Sequence, residues 1–99
     1  MDITKTKESD KTILHISGRL DSDTSPKMLE IVLAELETAS HITLTLADVA
    51  YVSSAGLRAL LQGHKAALVK NGALELCNVN KDVLEVLQST GFAEVLTIV

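Results

Sequence analysis

A chain of 99 residues, 46% of them hydrophobic, is one domain's worth: residues 1–99 can bury a core but leave no length for a second unit. The net charge of −4 argues against non-specific attraction to nucleic acid or an anionic membrane. One Phe, one Tyr and no Trp leave no aromatic platform for stacking, and the lone Cys77 excludes an internal disulfide and suits a reducing compartment.

Residues 2–8 allow an edge strand ahead of a core over about residues 10–98. Thr12 to Gly18 alternates, with Leu14 and Ile16 on one face and Ile13, His15 and Ser17 on the other. Ser25-Pro26 then makes a helix start, the serine capping and the proline needing no donor. The helix runs to Leu36 on a stripe of Leu29, Val32, Leu33 and Leu36. His41 to Leu46 is a second alternating strand, Ile42, Leu44 and Leu46 inward, Thr43 and Thr45 outward. Ala55 to Lys70 forms the longest helix, with Leu57, Leu60, Leu61 and Leu68 on one stripe and Asn71-Gly72 as a left-handed stop. Ala73 to Cys77 repeats the strand pattern. Lys81 to Ser89 is helical and ends at Gly91, and Val95 to Val99 closes the chain as a last strand.

Strands alternating with helices predict crossover connections and an α/β fold with a mainly parallel or mixed sheet of four to five strands. Doubly wound sheets bury both faces and show near-continuous apolar strands. Here Thr43, Thr45 and Glu75 stand on the outer positions, which predicts helices mostly on one face and solvent on the other.

Little in the chain carries catalytic chemistry. It has neither a Gly-x-Gly-x-x-Gly run nor a phosphate-binding loop. His15, His41 and His64 fall on separate elements without metal-ligand spacing, so neither a metal nor a cofactor is expected. With no basic-then-apolar leader and no run of about 18 apolar residues, the expected location is the cytoplasm, with neither nucleic acid nor a membrane as partner. The segment that stands out is Tyr51-Val52-Ser53-Ser54-Ala55-Gly56-Leu57-Arg58, which opens the longest helix. A hydroxyl there sits where first-turn amides lack partners and the helix dipole is positive. It can serve as a plain cap, or as a site where a phosphate is already favoured.

That segment resembles the signature of the STAS family, in which Asp-Ser-Ser/Thr-Gly-Leu opens the second helix. Gly18-Arg19-Leu20-Asp21 is similar to the family's Gly-x-Leu-Asp turn, Gly72-Ala73-Leu74 to its Gly-x-Leu strand start, and Thr90-Gly91-Phe92 to its Thr-Gly-Leu close. The four motifs stand in order over roughly residues 10 to 98. The resemblance implies an anti-sigma factor antagonist and no enzyme. Its expected partners are an anti-sigma factor that is also a serine kinase with an ATP-binding fold, and a PP2C-type phosphatase. Aligning Gly56 and Leu57 with the family's Gly-Leu puts Ser54 at the phosphorylated serine. Ser53 stands in place of the family's Asp and is a competing acceptor, and Thr45 stands where many members carry Asp. Asp21, Asp23, Thr24, Ser53, Gly56, Leu57 and Arg58 make up the expected partner-facing patch. Asp21 has an equal claim to an Asx turn. Two other readings stay open: a ligand-sensing STAS module, or a partner switch with a non-sigma output.

Overall fold

Apolar residues at every second position put one face of each strand into a common core, and the short connections then dictate how the strands lie. In the computed structural model, which describes residues 1–99, the elements are β1 (Asp2–Glu8), β2 (Lys11–Leu20), α1 (Ser25–Glu35), β3 (His41–Val52), α2 (Ser54–Val69), β4 (Ala73–Cys77), α3 (Lys81–Ser89) and β5 (Thr97–Ile98). The sheet order is β1-β2-β3-β4-β5, with β1 antiparallel to β2 and every other pair parallel. Each crossover therefore joins adjacent strands and always advances in the same direction. Right-handed crossovers that all advance one way place their helices on one face, as the outer threonines predicted.

The core is aliphatic and lies between the sheet and the helices, around Leu14, Leu20, Ile42, Leu44, Leu60, Leu76 and Leu87. The apolar stripes are partly as predicted: Val32, Leu36, Leu57 and Leu60 are buried, whereas Leu33 and Leu68 are exposed and Met28, Ala59 and Ala67 face inward instead. Small residues on α2 allow the approach: a Cβ on Gly63 would already meet Val32 and Leu74 at 3.3 Å. Asn71 adopts φ 58° and Gly91 φ 82°, the left-handed stops expected after α2 and α3.

Three boundaries differ from the expectation, each for a physical reason. Strand β3 does not stop at Leu46 but continues to Val52. Its pairing with β2 shifts register between His15 and Ser17 and again between Gly18 and Arg19. Past the first shift the buried residues are Leu46, Val49 and Val52, three apart, so the period of two is lost. At α1, Ser25 is not the cap: Thr24 precedes the helix, and Ser25 is its first residue, 2% exposed. The closing strand shrinks to Thr97–Ile98, because Phe92–Glu94 turns as a short 3-10 segment and Val95 is exposed.

The edge strand over residues 2–8 forms as expected. Lys5 and Lys7 point to the helix side and reach Glu35 on α1 at 2.9 and 3.3 Å, and the Thr12 hydroxyl donates to it at 3.1 Å. The Lys5 hydrogen bond, with those of Lys7 and Thr12, holds the Glu35 carboxyl below its ordinary range against the opposing effect of burial. On the opposite face Thr43 and Thr45 are 7% exposed, less open than the alternation predicts. Their register neighbours explain this: Ile13 and Glu75 flank Thr43, and His15 and Cys77 flank Thr45.

Candidate functional site at the start of helix α2

Strands β2 and β3 end level with each other, Leu20 opposite Val52, and the chain turns from there into α2. Ser53 makes the junction. Its amide donates to the Leu20 carbonyl at 2.8 Å, and its backbone is extended (φ −84°, ψ 176°). Its carbonyl accepts from Leu57 N at 2.9 Å, and its Oγ accepts from Gly56 N at 3.2 Å. Ser53 is thus the N-cap of α2, a task that the short hydroxyl performs as an Asp carboxylate would. Gly56 packs against the same carbonyl: a Cβ there would stand 2.8 Å from Leu20 O and 2.9 Å from Val52 Cγ1. The glycine is required by close approach of the chain's own backbone.

Ser54 is the first residue of α2 and is exposed. As a first-turn residue it has no intrahelical acceptor for its amide, and neither has Ala55. Arg58, one turn further on, is exposed as well. Leu57, expected on the partner-facing patch, points into the core at 6% exposure. It positions the helix from beneath, and Gly56, also buried, does so beside it.

The segment before α1 folds on itself. Asp21 Oδ1 accepts from the amides of Asp23 and Thr24, each at 3.0 Å. Thr24 Oγ1 donates to the Arg19 carbonyl at 2.6 Å and accepts from the Asp21 amide at 3.0 Å. This is an Asx turn, one of the two roles open to Asp21 from its sequence. The Thr24 amide bond is the foremost cause of an Asp21 pKa below the ordinary carboxylate range. The bond from Asp23 N adds to it against the opposing effect of burial, as does the Arg19 charge, 3.9 Å away. Asp23 is exposed and has no acceptor role in this network.

One pair escaped the sequence reading. The Arg19 guanidinium lies 4.2 Å from the centroid of the Tyr51 ring, and both residues are substantially exposed. Arg19 and Tyr51 are register partners of β2 and β3. A β3 that stopped at Leu46 could not bring them together, and so the pair was legible only from a strand extended to Val52. Cation–π stacking of this kind stiffens both side chains beside Ser53 and Asp21.

The family model described as Mlab, STAS domain, matches residues 3–98. The chain belongs to the STAS domain family. Among curated relatives of this STAS domain, the anti-sigma F factor antagonist of Paenibacillus polymyxa is 29% identical over 92 residues, covering 87% of this chain and 75% of the relative. The anti-sigma-B factor antagonist of Bacillus subtilis is 26% identical over 94 residues, covering 95% and 85%. Among solved structures, the phosphorylated form of the Bacillus cell fate determinant SpoIIAA superposes with a TM-score of 0.76 at 13% identity, covering 99% of this chain and 91% of that one. No helix of the STAS domain is long and apolar enough to cross a membrane.

Proposed function

We propose that this STAS domain is an anti-sigma factor antagonist working by partner switching. Unphosphorylated, it binds an anti-sigma factor that is also a serine kinase with an ATP-binding fold, and so releases that factor's target. Phosphorylation at Ser54 reverses the binding, and a PP2C-type phosphatase restores the serine. Such a regulator acts in the cytoplasm and catalyses no reaction itself. The names of its two curated relatives support the antagonist role.

The observation that carries the choice of serine is the division of labour at α2. Ser53 Oγ is engaged as the helix cap, whereas Ser54 is exposed at the first helical position. A kinase needs a hydroxyl it can surround, and only Ser54 is offered without breaking a cap. The phosphate adds about −1.5 to −2 charges at a place where the helix start tolerates an anion. The domain can then carry the group while a docked partner pays its desolvation. A penalty of ~3 kcal/mol at the interface is about a hundredfold in affinity. Asp21 and Thr24 shape the neighbouring loop, Asp23 and Arg58 offer exposed charge, and Gly56 and Leu57 fix the helix under the surface.

Incubation with ATP and the anti-sigma factor kinase encoded nearest its gene, followed by mass spectrometric mapping, tests the assignment. Phosphate on Ser54 is expected, and phosphate confined to Ser53 would overturn it. In the same assay Ser54→Ala is expected to bind the kinase and never be released by ATP. Ser54→Asp is expected to bind at least tenfold more weakly with a nearly unchanged Tm.

A further inference from the structure

The first turns of α1 and α2 enclose a groove of about 220 Å³, lined among others by Ser22, Ser25, Ala55, Arg58 and Gln62. We propose that this groove is the receiving site for the phosphate on Ser54, with Arg58 as the side chain that holds it. The inference rests on Ser54 as the modified residue and goes beyond it, since it says where the phosphate goes.

Four observations converge. Arg58 is the one charged residue lining the groove, and no carboxylate lines it, in a chain whose net charge is −4. Arg58 is exposed and takes part in none of the structure's ion pairs, which join Lys5, Lys7, Arg19 and His41 to their acids. Ser25, 2% exposed, lines the same groove, and its Oγ has no hydrogen-bond partner. Finally, Ser54 stands just outside the groove, next to its lining residue Ala55 and four residues before Arg58 on the same helix face, so a phosphate on it reaches the groove's edge at Arg58. The anion then precedes the cation, the favourable order along the helix dipole.

The amides that α1 contributes at this end are already occupied. Ser25 N donates to Asp21 O, Lys27 N and Met28 N both donate to Thr24 O, and Pro26 has none. Backbone anion donors must therefore come from α2, the free first-turn amides of Ser54 and Ala55; the side-chain donors are the Arg58 guanidinium and the unpartnered Ser25 hydroxyl. A guanidinium can meet two phosphate oxygens at once, which a carboxylate at position 54 could match neither in charge nor in reach. Of the other charged groups nearby, Asp21 is held in its turn, while Asp23 and Lys27 are exposed on the α1 side and do not line the groove. Phosphorylation then does more than add charge. It draws Arg58 onto the phosphate at the edge of the groove, which removes the guanidinium from any partner.

The test needs no kinase, so it stands or falls separately from the assignment above. Phosphoserine is incorporated at position 54 of the full chain during translation, and its second ionisation is followed by phosphorus NMR against pH, alongside the Arg58 Nε–H resonance. The phosphate of the wild-type background is expected to titrate about half a pH unit lower than that of Arg58→Gln, with Arg58→Lys in between. The Arg58 Nε–H signal should shift when position 54 carries phosphoserine. Identical titrations for Arg and Gln at position 58 would overturn the proposal, because the amides alone would then hold the group. An Arg58 signal unmoved by the phosphate would overturn it equally. Circular dichroism on each variant verifies that the fold is retained.

Discussion

Helices α1 and α2 begin side by side at the same end of the sheet, but their first turns are finished in different ways. Before α1, Asp21 and Thr24 trade hydrogen bonds with each other and with the Arg19 carbonyl, and the helix amides are used within the chain. Before α2, Ser53 supplies one cap bond and Ser54 stands open. The first start is closed from within and serves the scaffold. The second is tight on its protein side, where Gly56 meets Leu20, and unfinished on its solvent side. The proposed modification at Ser54 falls on the second, where a new anion finds donors without displacing any existing bond.

The sharpest way to break this comparison is at the third position of each helix. Gly56 and Lys27 occupy equivalent places in α2 and α1. Gly56→Ala puts a methyl 2.8 Å from the Leu20 carbonyl oxygen, which cannot withdraw without moving β2, and 2.9 Å from the Val52 side chain. Unfolding in urea should show a loss of about 3 kcal/mol with an unchanged m-value. Lys27→Ala, at an exposed position, should stay within about 0.5 kcal/mol of wild type. Equal effects at the two positions would mean that α2 is no more tightly seated than α1.

A smaller change probes the cap itself. Ser53→Ala removes the acceptor for Gly56 N and should cost about 1 kcal/mol. Ser53→Asp restores the residue of the family's signature and keeps an acceptor in reach. It also adds a negative charge at the positive end of α2, worth a further few tenths of a kcal/mol. Its Tm should therefore equal or exceed that of wild type. A destabilised Ser53→Asp would show that the hydroxyl is held by more than the cap.

How much of this was visible in the sequence depends on what kind of signal each part leaves. The strands with one apolar face, the order of elements and the single helical face followed from period and connection length. The Asn71 and Gly91 stops were also legible, since a left-handed residue leaves a chemical trace. The second half of β3 was not, because two register shifts turned its spacing from two to three, and with it went the Arg19–Tyr51 pair. Each helix stripe was half legible: Val32, Leu36, Leu57 and Leu60 are buried as expected, but Leu33 and Leu68 are exposed while Ala59 and Ala67, small enough to let two helices approach, face inward. Ser54 was picked out by motif, but its exposure and the capping role of Ser53 needed coordinates. Hydroxyls one residue apart look alike in a sequence and differ by about 100° around a helix.

The smallest expected effect tests whether Asp21 belongs wholly to the closed start of α1. Its carboxyl titrates below the ordinary 3.8 because the Thr24 amide, foremost, favours the charged form. A lowered native pKa means that the charged carboxylate stabilises the fold above the unfolded value. That contribution fades as pH falls through the native value. Asn at this position keeps an oxygen for the amides of Asp23 and Thr24 and cannot titrate. The Tm of wild type should therefore exceed that of Asp21→Asn at pH 7, and the gap should close as pH falls below about 4. Wild type and variant will both still lose stability in acid, since Glu35 and Asp10 also have lowered pKa values. A gap that persists undiminished at pH 3 would mean that the turn depends on the shape of the aspartate and not on its charge. The loop would then be a rigid ledge beside Ser54, indifferent to any charge that a phosphate brings to the neighbouring helix.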